Sequence, residues 1–166
     1  MNIIFTDIDG VLTSTLETPG SYLNHHESEY GLSPKCVARL IKLCKDTNSK
    51  VVISSNWRKF KPGEKWINRY GTYENNIPKL KKALGDLYIG DLPKVRHINK
   101  SMATILWFED HCMAVDKFVV FDDDPREGFQ NTYEYCIRDN FILTDKEIGL
   151  TDEDCKKAKK ILNGEQ

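Results

Sequence analysis

Short runs of β-branched residues alternate along this chain with amphipathic helical patterns, and this alternation constrains the fold more than any other feature. Such an order is typical of a parallel β-sheet whose strands are connected by crossover helices. The clearest strand patterns are residues 2–6, 50–54 and 117–121, which read NIIFT, KVVIS and KFVVF. We therefore expect an α/β fold with a mainly parallel sheet flanked by helices.

The helical patterns begin at recognisable start signals. Ser33 and Pro34 suit the N-cap and first turn of a helix, and Thr151 followed by three acids predicts a C-terminal helix. The remaining expected elements are a short helix after Pro78, a strand at 87–90, helices at 101–112 and after Pro125, and an edge strand at 140–143. The chain has no repeats or low-complexity linker, so we predict one domain over residues 1–166.

Composition excludes several classes of protein. The net charge of -1 provides no overall basic field for a nucleic-acid partner, although a local basic groove remains compatible with it. The five cysteines include no C-x-x-C pair, which argues against a disulfide framework or a zinc site. No segment approaches the roughly 20 apolar residues of a membrane span, and no signal-peptide pattern precedes the first strand. We expect a cytoplasmic protein, and the oligomeric state stays open.

Polar and mostly acidic residues follow three of the predicted strands. Asp7 and Asp9 follow the first, Ser54 and Ser55 the second, and residues 122–124 the third. The carboxyl ends of parallel strands face one crevice, so these groups are expected to converge there. Neighbouring carboxylates repel one another unless a cation neutralises them, and hard oxygen ligands favour Mg²⁺. The sequence therefore predicts a magnesium site at this edge.

The string from Asp7 to Leu12, DIDGVL, is the most specific of these endings. Strand alternation would place Asp7 and Asp9 on one face, and Gly10 permits a sharp change of backbone direction. One carboxylate can attack phosphorus while the second handles the proton of the leaving group. A D-x-D pair alone also occurs in metal-dependent glycosyltransferases and in ordinary turns. The other two strand endings are therefore needed to distinguish between these classes of protein.

The endings at residues 7–12, 51–55 and 119–124, which read DIDGVL, VVISS and VVFDDD, resemble motifs I, II and IV of the haloacid dehalogenase (HAD) superfamily, in the family's order. This resemblance implies a Rossmann-like HAD fold. It also implies a Mg²⁺-dependent phosphatase, a phosphoric monoester hydrolase that forms an aspartyl-phosphate.

The resemblance assigns a role to each of the matching residues. Asp7 would be the nucleophile. Asp9 would protonate the leaving group and then activate water. Ser54, with Ser55 as the alternative, would bind the transferred phosphoryl group through its hydroxyl. A Lys or Arg ahead of the third strand would balance the charge.

The metal and the balancing cation have more than one candidate each. The resemblance implies that Mg²⁺ is held by the Asp7 carboxylate, the Asp9 main-chain carbonyl and Asp123, with Asp122 as the next candidate. Asp124, just before a proline, is expected to be a helix-start or turn residue. Lys100 is the favoured cation at the start of the preceding helix. Lys94 and Arg96 are the alternatives.

Substrate choice in this superfamily depends on cap insertions, and residues 57–96 are too short for a full α/β cap. We expect a minimal cap there, either a small lid or an irregular insertion, and thus an open site. The segment Ser54 to Arg58, SSNWR, resembles an S-S-x-W-R ending in small HAD domains associated with RNA-repair proteins and, more loosely, polynucleotide 3'-phosphatases.

That second resemblance predicts substrate contacts. Asn56, Trp57 and Arg58 are expected to bind substrate, with Trp57 stacking on a base and Arg58 meeting backbone phosphates alongside Lys59, Lys61 and Lys65. The phosphorylated substrate would then be a nucleic-acid end. The alternatives are a nucleotide or other small phosphate ester, with Trp57 as a packing residue. A catalytically idle HAD domain that serves as a binding module is the alternative from another class.

Overall fold

The computed structural model describes residues 1–14, 32–59, 65–68, 71–74, 77–111, 114–130 and 135–165. For residues 59, 65–68, 71–74, 135 and 136 the description is of the backbone. Lys61 and most of the loop after the first strand therefore lie outside the described residues, as do the side chains of Lys59 and Lys65.

Five parallel strands form the central sheet, and two further strands form a separate antiparallel pair. The described strands are β1 (Asn2–Thr6), β2 (Ser49–Ile53), β3 (Lys65–Asn68), β4 (Gly71–Glu74), β5 (Tyr88–Asp91), β6 (Phe118–Asp122) and β7 (Phe141–Leu143). The central sheet has the spatial order β5-β2-β1-β6-β7, and all its neighbours pair in parallel. The predicted α/β class with a parallel sheet is confirmed.

Helices lie on both faces of this sheet. The described helices are α1 (Pro34–Thr47), α2 (Ile77–Leu84), α3 (Lys100–His111), α4 (Tyr135–Asp139) and α5 (Asp152–Asn163). Short 3-10 turns cover Asn56–Lys59, Gly85–Leu87 and Pro125–Glu127. Within the described ranges, no helix combines the length and apolar character that a membrane span requires.

The direction in which strands are added reverses at β1, and this reversal decides where the site lies. From β1 the chain adds β2 and then β5 on one side, after which α3 returns it so that β6 pairs with the other side of β1. The connections on the two sides therefore diverge. A crevice is left outside the carboxyl ends of β1 and β6, where open α/β sheets bind ligands.

Side chains of β1 alternate between two apolar cores, one on each face. Ile4 packs into the core that contains residues of α1 and α5, whereas Ile3 and Phe5 pack into the core that contains α3. All three side chains are fully buried. The Phe5 ring meets the Trp107 ring of α3 edge-on, with 5.2 Å between centroids. Because both faces are covered, polar groups of β1 reach solvent only at its ends.

The two helix starts with the clearest sequence signals form as predicted. The Ser33 hydroxyl accepts a hydrogen bond from the Cys36 N–H at 3.2 Å, which caps α1. At α5, the Thr151 hydroxyl accepts from the Asp154 N–H at 3.1 Å, while the Asp154 carboxylate accepts from the Thr151 N–H. These reciprocal bonds satisfy backbone donors that a helix start otherwise leaves open.

The other predicted elements occur at their expected places to within one or two residues, with one difference. The helix expected after Pro125 is a 3-10 turn of three residues. It stops at Gly128, whose φ of +87° lies in the left-handed region that does not continue a helix. The short turn leaves Glu127 close to the start of α3, with consequences for the site.

The described part of the stretch from residue 57 to 96, which was expected to be a small lid or an irregular insertion, contains regular elements. It contains α2, whose Ile77, Leu80 and Leu84 are buried in the core on the α1 face. Its described backbone also forms the antiparallel β3–β4 pair. Part of this stretch therefore belongs to the body of the fold. A lid function for the β3–β4 pair stays a prediction.

Candidate active site and metal centre

Three carboxylates meet at the carboxyl ends of β1 and β6. Asp7 follows β1, and its backbone N–H donates to the Phe121 carbonyl of β6 at 3.0 Å. Asp122 ends β6, and Asp123 is the next residue. One oxygen from each of the three carboxylates lies within 4.8 Å of the others. This spacing fits one cation between them, since oxygen ligands hold Mg²⁺ or Ca²⁺ at about 2.0–2.6 Å.

Lys100, the first residue of α3, brings a buried ammonium into this group. Its Nζ contacts the Asp7 Oδ2 and lies 2.8 Å from the Asp122 Oδ2. The Lys100 side chain is 3% exposed, so the ion pairs are shielded from water. Burial alone lowers the pKa of Lys100, but the charges of Asp7 and Asp122 outweigh it, and the pKa is raised. The ammonium therefore stays charged.

The position of Lys100 is secured by its neighbours. The Lys100 backbone N–H donates to the Glu127 Oε2 at 2.8 Å. Asn99 caps the same helix, because its Oδ1 accepts from the Met102 N–H at 2.9 Å. The Glu127 bond connects the first turn of α3 to the turn after β6, and the Asn99 bond caps that first turn. The Lys100 side chain thereby enters the acidic group.

A single ammonium does not compensate this acidic group. Burial raises the pKa of Asp122 to about 7, the charge of Asp7 adds to the rise, and Lys100 opposes it. The pKa of Asp123 is raised to about 6 by burial and then by Asp7. Ionisation of Asp122 or Asp123 beside the other carboxylates therefore costs free energy. A hard divalent cation would remove that repulsion, so Asp7, Asp122 and Asp123 fit such an ion.

Asp9 lies at the rim of the site, two residues beyond Asp7. Its Oδ2 accepts a hydrogen bond from the Trp57 indole N–H at 2.5 Å. Displacement of water around the carboxylate raises the pKa of Asp9 to about 7, and the charge of Asp7 contributes next. The outer surface of the residue remains exposed. The carboxylate is therefore crowded by the site on one side and open to solvent on the other.

Gly10 makes the turn that brings Asp9 and Asp123 side by side. Its φ of +68° is left-handed, and a Cβ placed there would lie 2.7 Å from the Asp123 Cβ. The Gly10 N–H donates to the Thr13 hydroxyl at 3.0 Å, and its carbonyl accepts from the Thr144 hydroxyl at 2.9 Å. Glycine is required here for both its backbone conformation and its lack of a side chain.

Gly10→Ala is expected to lower the free energy of unfolding by about 2–3 kcal/mol, since it adds left-handed strain and displaces Asp123. Denaturant unfolding measures this change. Gly85→Ala is the matched control, because Gly85 has a φ of +52° but nothing within 4 Å of an added Cβ. It should cost about 1 kcal/mol from strain alone. Equal losses in the two variants would show that the Asp123 contact does not matter.

The segment after β2 places Ser54 and Ser55 beside the acidic group, and both are fully buried. The Ser54 N–H donates to the Thr6 carbonyl at 2.9 Å, which keeps this segment in register with β1. Among the described residues, the Ser54 hydroxyl has no hydrogen-bond partner. A buried hydroxyl without a partner costs about 1–3 kcal/mol, so a ligand that bonded to it would recover that cost.

Arg58 stabilises the segment at Ser54 and Ser55 through hydrogen bonds to its backbone. Its side chain is 2% exposed, and Nη1 donates to the Ser54 and Ser55 carbonyls at 2.7 and 2.9 Å. Burial lowers the pKa of this guanidinium, while Asp7 is the largest of the charges that oppose the change. Arg58 thus contributes positive charge to the site from a buried position.

Asn56 and Trp57 are likewise turned toward the site. The Asn56 Nδ2 donates to the Glu127 Oε1 at 3.0 Å, and Trp57 is 6% exposed. The contacts predicted with a base and with backbone phosphates require exposed Trp57 and Arg58 side chains, whereas the structure buries both. Asn56 is exposed, and its predicted contact with substrate stays a prediction.

The remaining sequence candidates lie farther out. Lys94 and Arg96 are exposed, while Lys100 is the cation that reaches the carboxylates. Asp124 caps the turn after β6 by accepting from the Arg126 N–H at 2.9 Å, and it also pairs with the Arg126 side chain. Asp124 thus lies in a turn, as its position before Pro125 suggests.

Glu127 and Thr144 hold the site together and were not anticipated from sequence. Glu127 accepts from both Asn56 and the Lys100 backbone, and so joins the β2 turn to the start of α3. Thr144 fixes the Gly10 carbonyl from 134 residues away. Glu127 follows the acidic run and looks like another surface acid. Nothing in its local sequence distinguishes it.

Searches among curated proteins and among solved structures find no significant match to this chain. A model of one protein family does match, over residues 3–155. That range includes β1, the turn after β2, Lys100 and the acidic end of β6, which together build the site described above. The chain belongs to the family described as the HAD domain in Swiss Army Knife RNA repair proteins.

Proposed function

We propose that this protein is a Mg²⁺-dependent phosphomonoesterase that works through an aspartyl-phosphate on Asp7. The observation that carries this proposal is the meeting of Asp7 with Lys100 and the acidic pair Asp122 and Asp123 at the crevice. Family membership supports it, because the match covers residues 3–155 and so includes Asp7, whose sequence setting DIDGVL resembles motif I of the superfamily. The alternative hypothesis is a catalytically idle binding module. It does not explain why the fold keeps a buried cluster of charges, whose burial costs free energy.

In the first chemical step, an Asp7 carboxylate oxygen attacks phosphorus, and the ester P–O bond breaks. The leaving oxygen takes a proton from Asp9, which is two residues away at the rim. The Lys100 ammonium contacts the Asp7 carboxylate, and its positive charge reduces the repulsion between that carboxylate and the approaching phosphate. The products of this step are an acyl phosphate on Asp7 and the free alcohol.

In the second step, Asp9 takes a proton from water, and the water oxygen attacks phosphorus. The bond between phosphorus and the Asp7 oxygen breaks, which releases inorganic phosphate and restores the carboxylate. Asp9 is suited to both steps because it is the acid of this group that remains open to solvent. A residue that alternates between acid and base needs a pKa near the working pH.

The Ser54 hydroxyl and a bound Mg²⁺ would bind the phosphoryl group. The buried Ser54 hydroxyl, which has no partner among the described residues, is available to donate to a phosphoryl oxygen. Asp7, Asp123 and Asp122, with the Asp9 main-chain carbonyl, would hold Mg²⁺, whose charge offsets that of the phosphate. Arg58 keeps the Ser54 segment in place through its carbonyl contacts.

Phosphate release from a matched panel tests the proposal. The panel contains p-nitrophenyl phosphate, mononucleotides, and DNA and RNA oligomers with a 3' or a 5' phosphate, each assayed with Mg²⁺ and with EDTA. Mg²⁺-dependent release is the expected result. Absence of release from every substrate would favour the idle module, and release that is unchanged in EDTA would contradict the metal site.

For the substrate, we propose the phosphorylated 3' end of a nucleic acid. The family description names RNA repair proteins, which supports a nucleic-acid substrate. Because Trp57 and Arg58 are buried, we propose an exposed surface next to the site as the one that holds the strand. The candidate surface is a basic loop, residues 93–97, between β5 and α3.

This basic loop borders the crevice. Leu92, just before it, donates its N–H to the Ile53 carbonyl at the end of β2 at 2.9 Å. Lys100, just after it, reaches Asp7. Both ends of the loop are thus held at the carboxyl edge of the sheet, next to the site.

The side chains of the basic loop suit a phosphodiester backbone. Lys94, Arg96 and His97 are exposed, and residues 93–97 include no acid. Neither Lys94 nor Arg96 has an ion-pair partner among the described residues. His97 has a φ of +65°, a left-handed conformation that costs a non-glycine residue about 1–2 kcal/mol. Strain of this kind concentrates in functional loops.

The variant Lys94→Gln/Arg96→Gln is expected to lower kcat/KM for a 3'-phosphorylated oligomer by about tenfold while p-nitrophenyl phosphate is unaffected. The kcat/KM should also become less sensitive to salt. The negative slope of log kcat/KM against log salt should become shallower by about 1.4, at about 0.7 for each lost phosphate contact. Lys45→Gln/Lys160→Gln removes two exposed charges from α1 and α5 and serves as control. A similar loss in both double variants would refute the loop's role. A wild-type preference for small esters would favour a nucleotidase or small-molecule phosphatase.

A further inference from the structure

Trp57 and Asp9 lie 48 residues apart in sequence and meet in the site. The indole N–H donates to the Asp9 Oδ2 at 2.5 Å, which is short for a nitrogen donor. In the two proposed steps Asp9 transfers protons, and Trp57 takes no part in the transfer.

Trp57 is held rigidly. Its ring is 6% exposed and belongs to the apolar core on the α1 face, which also contains Ile8 and Val11 from the segment around Asp9. Its backbone N–H donates to the Ser55 hydroxyl at 3.3 Å. A packed indole has little rotamer freedom, so its N–H is a donor at a fixed point.

Asp9 depends on that donor. The residue is exposed, and an exposed aspartate otherwise distributes among several staggered rotamers. Among the described residues, Trp57 provides the hydrogen bond to its carboxylate, and this bond engages Oδ2. Oδ1 is left for the proton. A misplacement of about 1 Å in a catalytic group can cost about 10²-fold in rate.

We propose that Trp57 is a positioning residue that holds the Asp9 carboxylate in the orientation for proton transfer. This inference rests on the proposed function. As the ester P–O bond breaks, the proton passes from Asp9 Oδ1 to the leaving oxygen, while the indole N–H remains bonded to Oδ2. Trp57 exchanges no proton itself. Its effect is to fix the orientation of a carboxylate that is open to solvent on one side.

The dependence of rate on the leaving group tests this role. An alkyl phosphate needs a proton on its leaving oxygen, whereas p-nitrophenolate leaves without one. Trp57→Phe should slow single-turnover alcohol release from an alkyl phosphate by about 10–100-fold. It should slow release of p-nitrophenol by less than about threefold, and KM should hold for both. A single turnover reports the first step alone, before water attacks.

Replacement of Trp57 by 3-benzothienylalanine separates the hydrogen bond from packing. Sulfur takes the place of the indole N–H while the size of the ring system is nearly unchanged. We expect the same selective loss as in Trp57→Phe, with unaltered thermal unfolding. Full alkyl phosphate activity in this variant would overturn the proposal even if Trp57→Phe fails to fold.

Two controls make the outcome specific. Trp107→Phe removes a buried indole from the opposite core, where it packs on Phe5, so it should not distinguish the two substrates. Asp9→Asn should show the selective loss at full size. If Asp9→Asn shows it and both Trp57 variants do not, the positioning role is wrong and the phosphatase stands. If Asp9→Asn slows neither substrate selectively, the acid role in the proposed function fails instead.

Discussion

Asp7→Asn is expected to reduce phosphate release by about 10³-fold or more, because the amide cannot form the aspartyl-phosphate. The fold should persist, since the new side chain has nearly the same shape and Lys100 keeps its contact with Asp122. Phosphate release under single-turnover conditions measures the loss. Circular dichroism and thermal unfolding verify that the protein is folded.

Asp124→Asn is the matched control for this change. Asp124 lies at the same edge of the sheet, but it caps the turn after β6 and pairs with Arg126. The control should retain activity within about threefold. If Asp7→Asn kept a tenth or more of the wild-type rate, Asp7 would not be the nucleophile.

Lys100→Met is expected to reduce the free energy of unfolding, measured without divalent metal, by about 3 kcal/mol. The methionine leaves Asp7 and Asp122 buried without their cation, and breaking a buried ion pair costs about 3–5 kcal/mol. For a chain of 166 residues, about 3 kcal/mol corresponds to a fall in Tm of about 10 °C. Differential scanning calorimetry in EDTA measures it.

Addition of Mg²⁺ should restore more stability to Lys100→Met than to the wild type, because the metal then has more unpaired negative charge to neutralise. Lys160→Met, an exposed change on α5, should alter stability by less than about 0.5 kcal/mol with or without metal. A Lys100→Met protein as stable as the wild type in EDTA would mean that the buried ion pairs do not stabilise the fold.

Much of the fold follows from local pattern. The strands of the sheet are short β-branched runs, and a parallel sheet buried on both faces requires such runs. The starts of α1 and α5 follow from Ser33 and Thr151, whose side chains bond to backbone donors three residues away. Such short-range bonds leave a trace in a single sequence, so they could be predicted.

The location of the acids could be predicted for a related reason. Asp7 and Asp122 each follow a strand pattern directly, and parallel strands present their carboxyl ends at one edge. The sequence alone therefore predicted that these carboxylates converge at one crevice and that a cation binds among them. The sequence favoured Lys100 because it starts the preceding helix, but Lys94 and Arg96 were alternatives because all three residues precede the same strand.

The tertiary structure decided the partners of these groups. Lys100 reaches Asp7 across 93 residues because α3 begins beside the end of β6, which depends on how Glu127 and Asn99 hold its first turn. Trp57 and Arg58 read as exposed substrate contacts in the sequence, yet the turn after β2 directs both inward.

The features that the sequence predicts differ from those that only the tertiary structure shows in the sequence range of the interactions behind them. Hydrophobic period, caps and strand endings depend on bonds within a few residues, so the sequence by itself determined the α/β class and the acidic edge of the sheet. The direction of a side chain in a turn depends on the space left by distant elements. Only the packed fold, in which Ile8 and Val11 share a core with Trp57, could place the indole against Asp9.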